Sequence, residues 1–224
     1  MKNTNDEENL VPRPIRIAWT VIKIVLAVAL IVMLGWLTLR SCYQDGTKKM
    51  KTYMWTNSAS EQYENDNVSI YRLTEYNDPK LSRLFFIGRI YYTPEIRQYQ
   101  FMLRYNKESD SYKELIQLGA KDFIFELTDK NGNHYTTYSY ITDSAMMYGY
   151  YRLAFDNVDV TYAEQLVVNI YAVDENGKKI SEVGSCIVWQ KDAPSQEYKL
   201  SNADEKASKP NPDIKTFTWK ESDI

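Results

Sequence analysis

The residues able to do chemistry are few and scattered. His134 is the one histidine in the chain, set directly after Asn131-Gly132-Asn133. A catalytic imidazole needs a nucleophile and an orienting group beside it. A position next to a turn supplies neither, so His134 reads as an exposed strand residue. The two cysteines are Cys42 and Cys186. A protein zinc site takes three or four ligands, and these two with His134 do not make one. A reactive thiol wants a neighbouring cation. Gly184-Ser185-Cys186 brings none, so Cys186 reads as structural. Phosphate-binding glycine loops and the Gly-x-Ser-x-Gly and Ser-x-x-Lys nucleophile patterns do not occur. Asp129-Lys130-Asn131-Gly132-Asn133 echoes the start of a calcium loop but lacks its later acidic ligands, and reads as a turn. Asp156 and Asp159 are spaced too loosely for a catalytic carboxylate pair. The sequence therefore predicts no enzyme, no cofactor and no metal site.

The strongest signal is an apolar run from Ile17 to Leu39, broken only by Lys23 and two threonines. At ~1.5 Å per residue it is long enough to cross a hydrocarbon core of ~30 Å. Trp19 and Trp36 fall near its ends, where indoles favour the interface, and Lys23 can snorkel. The favoured reading is an uncleaved signal anchor. Two others compete. A cleaved signal peptide calls for a shorter apolar region and a small-residue cleavage site, which Leu39-Arg40-Ser41 does not offer. Leu39-Arg40-Ser41-Cys42 resembles a lipobox, which makes Cys42 a candidate for lipidation, although Arg40 departs from that pattern. Positive charges flank both ends almost equally. The plan of a short polar start, one apolar helix and a long polar remainder favours an exported domain at a cell membrane.

The remainder must supply whatever positions a site. Mean hydropathy is -0.51 despite the apolar run, and the net charge of -3 gives no general attraction to nucleic acid. Tyrosine is abundant, with 19 residues against 8 glycines, which leans toward β structure. From Val68 to Trp189 apolar residues recur every second position. Leu84, Phe86, Ile90 and Tyr92 share one expected face. So do Tyr99, Phe101, Leu103 and Tyr105, leaving Gln100, Met102 and Arg104 on a wet face. Phe123, Phe125 and Leu127 repeat the alternation, as do Tyr151, Leu153 and Phe155, and then Leu166, Val168, Ile170 and Ala172. Val183, Ile187 and Trp189 form the last set, with Cys186 opposite. Asp129-Lys130-Asn131-Gly132 and Asp174-Glu175-Asn176-Gly177 suit tight hairpins. Ser111 and Glu114 suggest a capped helix ending at Gly119, crossing between two sheets.

The predicted fold class is all-β: an antiparallel β-sandwich of immunoglobulin-like type on a single N-terminal transmembrane helix. The predicted organisation is a cytoplasmic tail over 1–15, the transmembrane helix over 16–40 and a polar stalk over 41–66. The β domain follows over 67–191, and a disordered tail over 192–224 carries Phe217 and Trp219. The predicted role is a membrane-tethered, extracytoplasmic binding module for a protein or envelope component. Tyr148, Tyr150, Met146 and Met147 are its candidate contact residues, since aromatic and Met side chains are enriched at interfaces. The alternative is a single-pass structural subunit of a bacterial secretion or conjugation channel, which calls for more helix after residue 43.

Overall fold

The structure is a computed structural model and describes residues 12–43, 48–65, 68–74, 84–160, 163–192, 194–200 and 208–219. The chain divides into two compact units, residues 1–44 and 45–224. The acidic trio Asp6, Glu7 and Glu8 lies outside the described residues.

Among its described residues the first unit holds one helix, α1 (Arg13–Tyr43). Pro14 sits in its first turn, where a missing N–H costs nothing. Over Pro14–Leu39 it is long and apolar enough to cross a membrane, and none of that stretch is buried within the protein. The hydroxyls of Thr20 and Thr38 donate back to the carbonyls of Arg16 and Leu34, four residues earlier, at 3.0 and 2.8 Å. Both polar side chains are thus satisfied inside the helix, as an apolar surrounding demands. Cys42 falls in its last turn, with its side chain outside the described residues.

The second unit is mostly β. After two short helices, α2 (Lys48–Lys51) and α3 (Asn57–Asn65), come β1 (Tyr71–Leu73), β2 (Phe85–Thr93) and β3 (Gln98–Asn106). Helix α4 (Asp110–Gln117) then leads to β4 (Asp122–Asp129), β5 (His134–Tyr135), β6 (Thr137–Ser144) and β7 (Tyr148–Phe155). The last strands are β8 (Gln165–Val173), β9 (Lys179–Gln190), β10 (Ser195–Glu197) and β11 (Lys215–Thr218). They form a seven-stranded sheet, β10-β1-β2-β3-β7-β6-β11, and a four-stranded sheet, β5-β4-β8-β9, here sheets A and B. Every pairing is antiparallel.

One buried cluster draws on both sheets. It takes Tyr99, Phe101 and Leu103 from β3 and Tyr151, Leu153 and Phe155 from β7. Sheet B gives it Phe123, Phe125 and Leu127 from β4, and Leu166, Val168, Ile170 and Ala172 from β8. These are the alternating sets read from sequence. Each side chain takes its place because successive strand residues point to opposite faces.

Two strands depart from simple alternation, and bulges explain both. In β2 the pairing with β3 shifts between Gly88 and Tyr91, and Arg89 adopts φ 49. The core therefore receives Phe85 and Ile87 before the bulge and Ile90 after it. Phe86, expected inside, is exposed. In β9 three register shifts against β8 reset the phase. Cys186 and Val188 enter the core, while Val183 and Trp189 are only half-buried against it. An extra unpaired residue flips every later side chain to the other face.

The hairpins follow their sequence signals. Asp129 accepts from the backbone N–H groups of Asn131 and Asn133, both at 2.9 Å, and Asp174 accepts from those of Asn176 and Lys178. Gly132 and Gly177 take φ 85 and 79, conformations that favour glycine. The cap of α4 is Ser109, whose hydroxyl accepts from the Tyr112 N–H, not Ser111. This helix does link the two sheets.

The regions expected as stalk and tail are partly built into the fold. Met50, Tyr53, Met54, Trp55 and Ala59 are all buried. β10 and β11 extend sheet A at its two edges, and Trp219 is buried. Both segments look polar in composition, but their few large side chains are concentrated where the sheets need cover. Residues 201–207 and 220–224 are outside the described residues.

Candidate interaction surface

The residues with reactive side chains do not converge. His134 stands on β5, exposed, with Nδ1 2.7 Å from the Glu126 carboxylate on β4. That carboxylate is also 3.4 Å from Asn169 Nδ2 and 3.4 Å from the Tyr171 hydroxyl, both donors from β8. The result is a hydrogen-bonded cluster on the outer face of sheet B, with no nucleophile beside it among the described residues. Cys186 is a buried thiol in the core. Asp156 accepts from Gln98 Nε2 at 2.6 Å. Among the described residues, no group of three or more His, Cys, Asp or Glu side chains is gathered as a metal site would require. Asp129 is spent within its turn. Burial alone would raise its pKa, but hydrogen bonds from Asn133, Asn131 and Tyr135 together hold it below the usual carboxylate range.

The candidate contact residues separate. They lie at the end of sheet A where the β6–β7 turn meets the end of β3, the Lys107 N–H donating to the Met147 carbonyl at 2.8 Å. Met146 at the turn is 78% exposed. Met147 and Tyr148 are half-buried. Tyr150 is fully buried and cannot meet a partner. Its ring packs with Met50, Met54, Met102 and Ile141 beneath the chain segment that precedes α3. Alternation along β7 puts Tyr148, Tyr150 and Arg152 on one outward face, but it gives no sign that a distant segment lies over two of the three.

Phe86 and Arg104 enlarge the patch. Cross-strand register sets them opposite each other, with Tyr150 and Asp143 continuing the row across β7 and β6. The Arg104 guanidinium carbon sits 5.3 Å from the centre of the Phe86 ring and 5.0 Å from that of Tyr148. These are cation–π distances. Phe86 is 38% exposed. The β2 bulge is what turns Phe86 outward, which is why periodicity alone missed it.

Beyond this row the outer face of β2, β3 and β7 is covered by the segment that precedes α3. Gln98, Gln100, Thr93 and Arg152 are fully buried. The Gln100 amide binds both backbone groups of Met54: Nε2 donates to its carbonyl at 2.8 Å, and Oε1 accepts from its N–H at 3.0 Å. Gln98 Nε2 donates to Thr56 Oγ1 at 2.8 Å, and Tyr53 Oη lies 2.8 Å from Thr93 Oγ1. Arg152 donates to the Arg89 carbonyl, which the bulge presents, and lies over the Tyr91 ring at 4.7 Å. Burial pushes the Tyr53 phenol well up. Buried polar groups on this scale are tolerable only when hydrogen-bonded, so the covering segment and the sheet specify each other.

Most of the other sheet tyrosines are packing residues as well. Tyr138 is in the main core, Tyr92 and Tyr140 lean on it, and Tyr91 is buried beside Tyr53, Trp55 and Ile70. No family model matches the chain, and neither the curated proteins nor the solved structures contain a match to it.

Proposed function

We propose that this chain is a non-catalytic interaction module tethered to a cell membrane by α1, with its β unit outside the cytoplasm. We further propose that its two sheets form a sandwich of the immunoglobulin-like type. The observation that supports the binding role is the end of sheet A's outer face, where Phe86, Arg104, Tyr148 and Met146 stand together. Aromatic, Met and Arg side chains are the types most enriched at protein interfaces and their hot spots. The expected partner is a protein or a component of the cell envelope, met at this patch.

The test is site-specific photocrosslinking in native membranes. A photoreactive residue at position 146 should give a discrete adduct that weakens on Phe86→Ala. The same probe at position 128, on the outer face of sheet B, should not. Equal adducts from both positions, or none from 146, would sink the assignment. Intact-mass measurement of membrane-extracted protein should show the uncleaved chain. A species beginning at lipidated Cys42 would replace the anchor by a lipoprotein tether.

A further inference from the structure

A second feature lies away from that patch. A polar cleft of about 570 Å³ opens between the start of α3, the strand β6, the chain after β7 and the approach to β11. Its size falls within the range of small-molecule sites. Asn57 and Ser58 line it from α3, Ser139 from β6, Asp156 and Asn157 from the turn after β7, and Thr216 from β11. Pro210, Pro212 and Ile214 give it an apolar wall.

The chemistry of this lining is selective. Among the described residues it holds one charged residue, the Asp156 carboxylate, and no lysine or arginine. An anion such as a phosphate would meet a like charge without a counter-ion, which costs binding. A divalent cation would find a single carboxylate where it needs several oxygen ligands. An apolar ligand would strip water from hydroxyls and amides without replacing their hydrogen bonds. What fits is a neutral molecule rich in hydroxyls that also has an apolar face.

The hydrogen-bonding groups are available for it. The Thr56 hydroxyl is committed to Gln98 and the Ala59 N–H, and one Asp156 oxygen to Gln98. The side chains of Asn57, Ser139, Asn157 and Thr216 make no hydrogen bond with the described residues. Amides and a carboxylate oxygen can each serve a sugar hydroxyl pair, and the prolines can receive the C–H face of the ring. We infer that this cleft binds a neutral saccharide, with Asp156, Asn157 and Asn57 engaging its hydroxyls and Pro210 and Pro212 its apolar face. The inference does not rest on the Phe86–Met146 patch.

The full-length protein in lipid nanodiscs, free of glycosidic detergent, allows a direct test. The probes are maltotriose, cellotriose and triacetylchitotriose, read by saturation-transfer NMR and calorimetry. At least one should bind. The double variant Asp156→Asn with Asn157→Gly should weaken it by roughly five-fold or more, the scale of losing neutral hydrogen bonds. Asn157 has φ 60, so glycine there removes the amide without new backbone strain. Thr216→Phe, which fills an exposed position in the cleft, should also abolish binding. Circular dichroism confirms folding of each variant. No binding by any of the three sugars would overturn the inference. So would binding that both variants leave unchanged, or tighter binding of glucose 6-phosphate than of the neutral sugars.

Discussion

The outer faces of the two sheets solve the same problem differently. Each is crossed by a segment from near one end of the chain. On sheet A, Met50 to Thr56 covers a broad area and is held by buried side-chain amides, with Gln100 reading the Met54 backbone as a neighbouring strand would. On sheet B the cover is, among the described residues, essentially Trp219, packed on Ile124, Val173 and Tyr171. Its indole N–H donates to the Phe125 carbonyl at 2.8 Å, and the Phe125 N–H donates to the Tyr138 hydroxyl at 3.2 Å. β5 is too short to pair that part of β4, so these two side chains satisfy its open edge. The rest of sheet B's outer face is less covered, with His134 exposed above the half-buried Glu126 and Asn169. The difference teaches that outward polar residues carry different meanings: beneath the 50–56 cover they are joints, and on sheet B they gather in a cluster at the edge of solvent.

Alkaline pH should break this comparison with the largest effect. Burial raises the phenol pKa of Tyr53 within the sheet A cover, and of Tyr99, Tyr138 and Tyr151 in the core, with Asp122 adding to the shift at Tyr151. Their folded values lie above the unfolded value of ~10, so the neutral forms contribute stability that is complete below pH ~10. As pH rises past that point, each such group withdraws about 1.4 kcal/mol per pH unit. Four together should unfold the domain cooperatively within a narrow interval. Phenolate absorbance and far-UV circular dichroism should change together. Tyr171 on the sheet B face is raised only in part, by burial and then by Glu126. Gradual titration of all tyrosines with the β signal intact would contradict the packing described.

The covers can then be removed one at a time. Trp55 is buried against Tyr53 and Tyr63, so Trp55→Ala should cost about 3–5 kcal/mol. Trp219→Ala should cost less, roughly 2–3 kcal/mol for one large side chain at the rim of the core. Chemical denaturation of the two variants in parallel decides the order. If Trp219→Ala proves the more damaging, closure of β4's open edge outweighs the sheet A cover.

A finer cut addresses the amides. Gln100→Leu keeps the volume but leaves the N–H and carbonyl of Met54 buried without Gln100. The expected loss is about 2–4 kcal/mol, since each unsatisfied buried group costs ~1–3. Hydrogen exchange should show the Met54 amide losing protection before the core of β3 does. Protection equal to wild type would mean that water or another group replaces Gln100.

Legibility from sequence followed the same division. The inward sets of β3, β4, β7 and β8 were legible because strict alternation encodes which face meets the core. The two hairpins were legible because Asn-Gly encodes positive φ. The bulges in β2 and β9 were not, so Phe86 and Cys186 were each assigned to the wrong side: a one-residue insertion leaves hydrophobicity unchanged while reversing its phase. The covers were not legible either. Composition made residues 41–66 and 192–224 look like linkers, and nothing local signals that Met54 lies on Gln100, 46 positions away in sequence. Of the contact residues, Met146 and Tyr148 reach the surface. Tyr150 does not, for the same non-local reason.

The smallest expected effect completes the comparison, because it probes the less covered face of sheet B. His134 is exposed, and among the described residues its ring meets the Glu126 carboxylate, whose side chain is only 12% exposed. With one partner in solvent and the other held by further donors, the pair contributes little, ~0–1 kcal/mol. Asn169 and Tyr171 remain to solvate Glu126 when the imidazole is gone. His134→Gln should therefore change stability by less than about 0.5 kcal/mol, as for most surface substitutions, and leave crosslinking from position 146 at wild-type yield. Thermal denaturation and the crosslinking assay are the two readouts. A large loss of stability would make the sheet B face a second joint like that of sheet A. A loss of cellular function with folding and crosslinking both unaltered would mean that the Glu126–His134 pair performs a chemistry of its own, and the non-catalytic reading would fall.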